Sequence, residues 1–190
     1  MGMAQAHRLS VETIQDWHQW LSLHHGESEG VWVVLWRPST GQPHPSYDEL
    51  IREALCWGWI DGQSKPLDDT RSMLWFTRRR PNSPWAATNK ARVAELAAEG
   101  RLQPAGIAEI ERAKADGRWT LLDAAEALIV PEDLSAALAA DPAARQEWDS
   151  FPPSQRKQAL GWIATAKRPE TRERRIAAIA AKAARGERPF

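Results

Sequence analysis

The sequence predicts an α+β protein, with a small antiparallel sheet, flanking helices and a helical C-terminal half. Three observations carry that expectation. Runs of β-branched and aromatic residues bounded by Gly and Pro lie in the first half of the chain. Apolar residues recur at three- and four-residue steps elsewhere, the spacing of one buried helix face. Composition also shifts near residue 90: Met1–Lys90 holds 8 of the 11 Trp and 5 Ala, whereas Ala91–Phe190 holds 3 Trp and 26 Ala. The expected organisation is a mixed, Trp-rich region over 1–90 and an Ala-rich helical region over 91–190, packed as one domain or two subdomains.

Taken in order, Ile14, Trp17 and Leu21 predict a helix from Ser10 to about His24, ended by His25-Gly26. Val31 to Trp36, between Gly30 and Pro38, reads as a buried strand. Ser46-Tyr47-Asp48-Glu49 has the spacing of a capping box, in which the Ser hydroxyl accepts from the Glu backbone N–H and the Glu carboxylate reaches back. It opens a helix with Tyr47, Leu50, Ile51, Ala54 and Leu55 on the apolar face, and Gly58 stops it. Trp59 to Gln63 and Met73 to Thr77 are the other two strands, joined through the turn residues Pro66-Leu67-Asp68-Asp69. Ser83-Pro84 offers an N-cap and first-turn proline for a helix running to Gly100. Pro104 opens the next, with Ile107 and Ile110 inward and Gly117 as its stop. Further helices begin near Pro131, at Asp141-Pro142, at Ser154 and after Pro169. Ala159, Trp162, Ile163 and Ala166 share one face, and Ile176, Ile179, Ala180 and Ala183 another. Such narrow, Ala-rich faces suit close packing of helix on helix.

With 25 Lys+Arg against 25 Asp+Glu, the chain lacks the excess positive charge that gives whole-surface affinity for nucleic acid. The balance is a cancellation. Ala91–Gln155 has 6 basic and 12 acidic residues, and Arg156–Phe190 has 10 basic and 3 acidic. Basic helices docked on acidic ones, or solvated, explain this plainly, and an anion-binding C-terminus is the sharper alternative. Cys56 is the single cysteine, so an internal disulfide and a Cys-based zinc site are excluded. No segment approaches the roughly 18 apolar residues of a membrane span, and no signal-like stretch starts the chain, so the expected location is the cytoplasm, with no membrane partner.

The block Trp57-Gly58-Trp59-Ile60-Asp61-Gly62 sets two indoles and a carboxylate at a helix-to-strand junction. As strand residues Trp59 and Asp61 share a face, and one indole with one carboxylate is the minimum of a cation site. The same residues have a plainer reading, in which Trp57 and Trp59 fill the core and Asp61 caps the turn or pairs with Arg78 or Arg80. Asp68 and Asp69 extend the acidic rim. Cys56 reads as buried, because a reactive thiol needs an electropositive, partly exposed setting. In Phe76-Thr77-Arg78-Arg79-Arg80-Pro81, Arg78 and Arg80 fall on one strand face and Arg79 on the other. Guanidiniums there either bind a carboxylate or phosphate bidentately or form a solvated edge that discourages strand pairing. His18 and His24 are six residues apart and do not share a helix face as metal ligands would, so no metal is expected. There is no P-loop, dinucleotide glycine motif or nucleophile elbow, and no cofactor is expected.

The block Ala54-Leu55-Cys56-Trp57-Gly58-Trp59-Ile60-Asp61-Gly62 resembles the YdeI/OmpD-associated, or bacteriocin-protection, family, which typically has Phe at the position of Trp57. The resemblance continues through Phe76-Thr77-Arg78-Arg79, where the family more often has Pro at the position of Arg78. It extends over Ser83-Pro84-Trp85 with Asn89, Gly106, Gly117-Arg118-Trp119, Pro131-Glu132-Asp133-Leu134 and Ala166 to Arg172 with Arg175-Ile176. It thus covers nearly the whole chain. The resemblance implies an α+β fold and a loose association with defence or stress, without an established reaction.

The first functional expectation is therefore a protein that binds or sequesters a small organic or cationic antimicrobial ligand, or a cationic peptide. Trp57, Trp59 and Trp75 would stack on it and Asp61 would pair with a positive group. Arg78 and Arg79 would orient an anionic group, with Trp85 and Asn89 closing one side. The second is an enzyme on such a metabolite, with Asp61 as general acid or base. The third is a nucleic-acid or partner-binding module using Lys167, Arg168, Arg172, Arg174 and Arg175, which the separation of most Trp from most positive charge disfavours.

Overall fold

The computed structural model describes residues 6–189. The fold is α+β, and the chain divides into two compact units: Met1–Ser83 with Thr88–Ala115, and Pro84–Ala87 with Asp116–Phe190. The helices after the composition change, up to residue 115, belong with the sheet.

In the first unit the elements are β1 (Arg8–Ser10), α1 (Ile14–His24), β2 (Gly30–Trp36), α2 (Tyr47–Cys56), β3 (Trp59–Pro66), β4 (Arg71–Arg78), α3 (Ala87–Ala98) and α4 (Pro104–Ala115). The sheet has four strands in the order β1-β2-β4-β3, with β1 parallel to β2 and the other pairs antiparallel. This corrects the expected three-stranded antiparallel sheet. Arg8-Leu9-Ser10 is too short and too polar for a strand signal in sequence, and only its pairing with Trp32–Val34 makes it one.

Both capping boxes of this unit are local chemistry. Thr13 accepts from the Asp16 backbone N–H while the Asp16 carboxylate accepts from the Thr13 N–H, opening α1. Ser46 and Glu49 do the same for α2, at 3.2 and 2.8 Å. The Thr13 N–H on Asp16, and the Ser46 hydroxyl and N–H on Glu49, hold both carboxyls below their ordinary pKa. The Ser83-Pro84 start did not form: α3 begins at Ala87, because Trp85 is fully buried and its backbone N–H donates to the Arg118 carbonyl at 3.3 Å.

One sheet face carries Val31, Val33, Leu74, Phe76 and Trp59, all buried. Trp17 of α1 covers it, its ring 5.0 Å from Phe76 and 6.4 Å from Trp59, with the indole N–H donating to the Leu50 carbonyl of α2. On the other face Trp32, Val34 and Met73 form a second buried cluster with Ala6, Leu67 and Trp75, and the Lys65 ammonium lies 4.2 Å over the Trp32 ring. Burial on both faces is why β2 reads as an unbroken apolar run.

The second unit contains α5 (Asp123–Glu126), α6 (Glu132–Ala139), α7 (Pro142–Ser150), α8 (Pro153–Ala164) and α9 (Pro169–Ala184). Leu134, Leu138, Trp148, Leu160, Ile163 and Ile179 make its core. α9 packs on α6, α7 and α8, while α5 packs on α8.

Candidate functional site

A cleft of about 1310 Å³ opens in the first unit at the end of the sheet where β2 starts and β4 finishes. Its walls are the α1–β2 connection from His25 to Gly30, the α2–β3 junction at Trp57-Gly58, the end of β4 from Thr77 to Pro81 with Trp75, and the Ala105–Arg112 face of α4.

Close backbone approach builds these walls. Gly58 has φ +75°, and a Cβ there would lie 3.2 Å from both the Ala105 carbonyl oxygen and the Glu109 Cβ. A Cβ on Gly106 would overlap the Cys56 carbonyl, which accepts from the Gln103 backbone N–H at 3.0 Å. α4 therefore turns Gly106, Glu109, Ile110 and Ala113 inward, and Ile107, expected inside, is exposed. The Trp75 indole occupies the space that side chains would take at Gly30 of β2 and Gly62 of β3, and β3 bulges there, between Asp61 and Ser64.

Behind the cleft, Glu53 is a buried carboxylate with three partners. It accepts from the Trp57 indole N–H at 3.1 Å and from Arg101 at 3.1 Å, and lies 2.8 Å from His18 Nδ1. A buried carboxylate costs little when so satisfied, and here it fixes the half-buried Trp57 ring. Trp57 in turn lies 4.6 Å from the His25 ring. The His25 main chain is also tied, its N–H donating to the Leu21 carbonyl at 2.9 Å and its C=O accepting from the Trp59 indole at 3.2 Å.

Of the residues singled out in sequence, Trp57, Trp75, Arg78 and Arg79 line the cleft together. Arg80 joins them. Arg79 is buried and reaches Ser83 Oγ at 3.4 Å, while Arg78 is exposed and donates to the Gly26 carbonyl at 3.2 Å. Trp59, Asp61, Trp85 and Asn89 do not line it. Trp59 is fully buried in the core, and Trp85 belongs to the second unit, its ring 4.9 Å from Trp119. Asn89 accepts from Arg92 at 3.1 Å. Asp61 does share a face with Trp59, but its carboxylate accepts from the Tyr47 hydroxyl at 2.6 Å. Burial, reinforced by that bond and by the Asp61 charge, pushes the Tyr47 phenol up to about 12. Tyr47, expected on the apolar face, keeps 54% of its surface exposed, so its burial is partial, and its hydroxyl is bonded to Asp61. Asp68 turns to Arg71 and Thr70, and the Arg71 guanidinium chiefly holds its carboxyl well below the usual range. Burial pushes the Cys56 thiol up to about 11, an unreactive state.

Sequence reasoning missed His25, Glu53 and the Glu109–Arg112 ion pair in the α4 wall. The signal for His25 was its place just after the α1 face, where the sequence marks it only as the stop of that helix. Glu53 and Arg112 carried no signal, because a charge on a helix reads as solvated until its neighbours are known. Among the described residues no group of three or more His, Cys, Asp or Glu is placed to hold a metal ion, and no helix is long and apolar enough to cross a membrane.

In the second unit the opposed charges meet: Arg172 holds Asp133 through two bonds of 2.6 and 2.9 Å, and Lys157 reaches Glu126 at 3.3 Å. Arg175 lies over Trp162, 5.0 Å from its ring, and donates to its carbonyl. A groove of about 570 Å³ runs between α5 and α8, lined by Leu122, Ala125, Gly161 and Trp162 with Lys157 and Glu126 at its side.

The fold and cleft thus define a two-unit α+β protein with an arginine- and indole-lined cleft in the sheet unit. Residues 9–109, more than half of the chain, match the profile of a domain of unknown function (DUF8412), and the chain belongs to that family. Residues 127–186 match the profile described as "Bacteriocin-protection, YdeI or OmpD-Associated", so the C-terminal part is similar to that family. That match is narrower than the resemblance read from the sequence. It contains Pro131–Leu134 and Ala166–Ile176, whereas the Ala54–Gly62 block lies in the domain of unknown function. No curated protein and no solved structure matches the chain.

Proposed function

We propose that this chain is a cytoplasmic binding protein that captures one small planar organic anion in the cleft of its first unit and protects the cell by holding it. The observation that carries this reading is the cleft lining, where Trp57 and Trp75 stand with Arg78, Arg79 and Arg80. Indole faces favour planar or aromatic bodies, and guanidiniums favour a carboxylate or phosphate. A volume of about 1310 Å³ is ample for such a ligand, since pockets for drug-sized molecules run to roughly 300–1,000 Å³. Asp61, the carboxylate proposed for a cationic ligand, is engaged by Tyr47 away from the cleft, and Arg78, Arg79, Arg80 and Arg112 outnumber Glu27, Glu29 and Glu109 in the lining, which turns the preference toward anions. The protective role follows the similarity of the C-terminal part to the YdeI/OmpD-associated family. A lone, buried Cys56 fits a reducing compartment.

The test is titration of tryptophan emission with two panels, aromatic carboxylates and cationic antimicrobial peptides, followed by mass spectrometry of the mixture. Expected are one-to-one binding from the first panel, recovery of the ligand unchanged, and at least tenfold weaker binding by Trp57→Ala and by Arg78→Ala. Binding from the cationic panel alone, or from neither, overturns the reading. Conversion of more than one equivalent replaces it with an enzyme.

A further inference from the structure

His25 lines the cleft, half-buried, and is held at both its ring and its main chain. Its ring Nδ1 lies 2.9 Å from the Leu21 carbonyl oxygen. A carbonyl oxygen only accepts, so Nδ1 carries the proton, and the neutral imidazole keeps its lone pair on Nε2. No bond to Nε2 is present among the described residues. The main chain of His25 is held by Leu21 on one side and by the Trp59 indole on the other, and the ring is held by Trp57 at 4.6 Å. The next carbonyl, that of Gly26, receives the Arg78 guanidinium at 3.2 Å. The loop is closed further on, where the Thr77 hydroxyl donates to the Glu29 carbonyl at 2.5 Å. An acceptor, an indole and a cation therefore line the same cleft, each from a different one of three walls tied to one another by these bonds.

We infer that His25 Nε2 is the hydrogen-bond acceptor that selects the ligand of this cleft, which makes the ligand class an aromatic anion bearing a hydroxyl or N–H donor on the ring in addition to its carboxylate or phosphate. The inference rests on the reading of the cleft as an organic-anion site and adds the donor to it. Trp57 contacts the ring system, Arg78 receives the anionic group and His25 accepts from the donor. An acceptor already oriented loses little freedom on binding, so a donor on the ligand gains a full hydrogen bond, while a ligand without one leaves Nε2 desolvated and unsatisfied. Trp59 enters here as a positioning residue: wholly buried, it acts through the His25 carbonyl. That gives the second indole of the Trp57–Asp61 block a role that neither core filling nor ligand stacking captures.

The experiment is calorimetric titration of the full chain with three probes: 2-naphthoate, 6-methoxy-2-naphthoate and 6-hydroxy-2-naphthoate. The hydroxyl compound is expected to bind wild type about tenfold more tightly than the other two, because it alone donates. In His25→Phe the three should fall within about twofold of one another. Nitrogen-15 NMR of labelled histidine supplies a readout independent of the variant: His25 shows the Nδ1–H tautomer when free, and its Nε2 resonance moves with the hydroxyl probe alone. Equal binding of all three to wild type overturns the role of His25 and leaves the anion site standing. Binding of none overturns both.

Discussion

Glycine serves opposite ends in the two units. In the first, Gly106 of α4 sits where a Cβ would overlap the Cys56 carbonyl, so two backbones touch and the cleft wall depends on a missing side chain. In the second, Gly161 of α8 has only the Leu122 methyl near it, at 3.7 Å from where a Cβ would stand, which is ordinary contact. The polar groups differ in the same way. In the sheet unit indoles donate to specific acceptors, the buried Trp17 to Leu50 and Trp59 to His25, and the half-buried Trp57 to Glu53. The helical unit is held by an interior of Leu, Ile, Ala, Phe151 and Trp148, with salt bridges such as Arg172–Asp133 outside it. A geometry made of close backbone contacts and directed hydrogen bonds suits a site whose side chains must be held in place. A helical core packed by shape alone tolerates substitution more readily.

The largest expected effect breaks this contrast if it fails. Gly106→Ala should destabilise the first unit by ~1–3 kcal/mol, because the new methyl must push α4 off the α2 terminus, and this outweighs the better helix propensity of Ala. Hydrogen exchange should show lost protection in α2 and α4 and unchanged protection in α8 and α9. Wild-type protection in all four would mean that the contact at Cys56 is loose.

The same substitution in the other unit should act in reverse and more weakly. Gly161→Ala is expected to stabilise α8 by about 0.5–1 kcal/mol, since it lowers the entropy of the unfolded chain and meets no close atom. Slower exchange of the α8 amides checks it; a loss of protection there would place Gly161 with Gly106 as a contact glycine.

The smallest effect concerns the exposed Tyr47–Asp61 bond. Tyr47 is the single tyrosine, so ionisation read by absorbance near 295 nm belongs to it alone. The midpoint should lie near 12 in the folded protein and move toward the ordinary value of 10 in Asp61→Asn. The folded-state pKa is raised, so the bond's contribution is complete below pH 10 and is lost as pH climbs through 12, when the folded chain must release the proton it holds. A wild-type midpoint at 10 would detach Asp61 from Tyr47 and return its carboxylate to the candidates for ligand contact.

Much of this molecule follows from chain order. The capping box at Ser46–Glu49, the apolar run Val31–Trp36, the stop at Gly58 and the helix starts at Asp141-Pro142 and Pro169 are all present where local chemistry puts them. Trp59 and Asp61 share a strand face because side chains alternate along a strand. What lay outside the reach of sequence depends on residues far apart. Arg8–Ser10 becomes a strand only beside Trp32–Val34, and Ala87 replaces Pro84 as the start of α3 only because Trp85 is drawn to Arg118.

The cleft is the clearest case. Local sequence supplied Trp57, Trp75, Arg78 and Arg79, because indoles and guanidiniums announce their chemistry wherever they stand. It was silent on which of them share a wall. Only the tertiary structure sent Trp59 into the core, gave Asp61 to Tyr47 across 14 residues, and bound Glu53 to an arginine 48 residues away. The physical reason is that periodicity and caps are short-range energies that a single segment satisfies alone. A lone pair such as that on His25 Nε2 acquires its direction from a carbonyl, an indole and a turn contributed by three different elements.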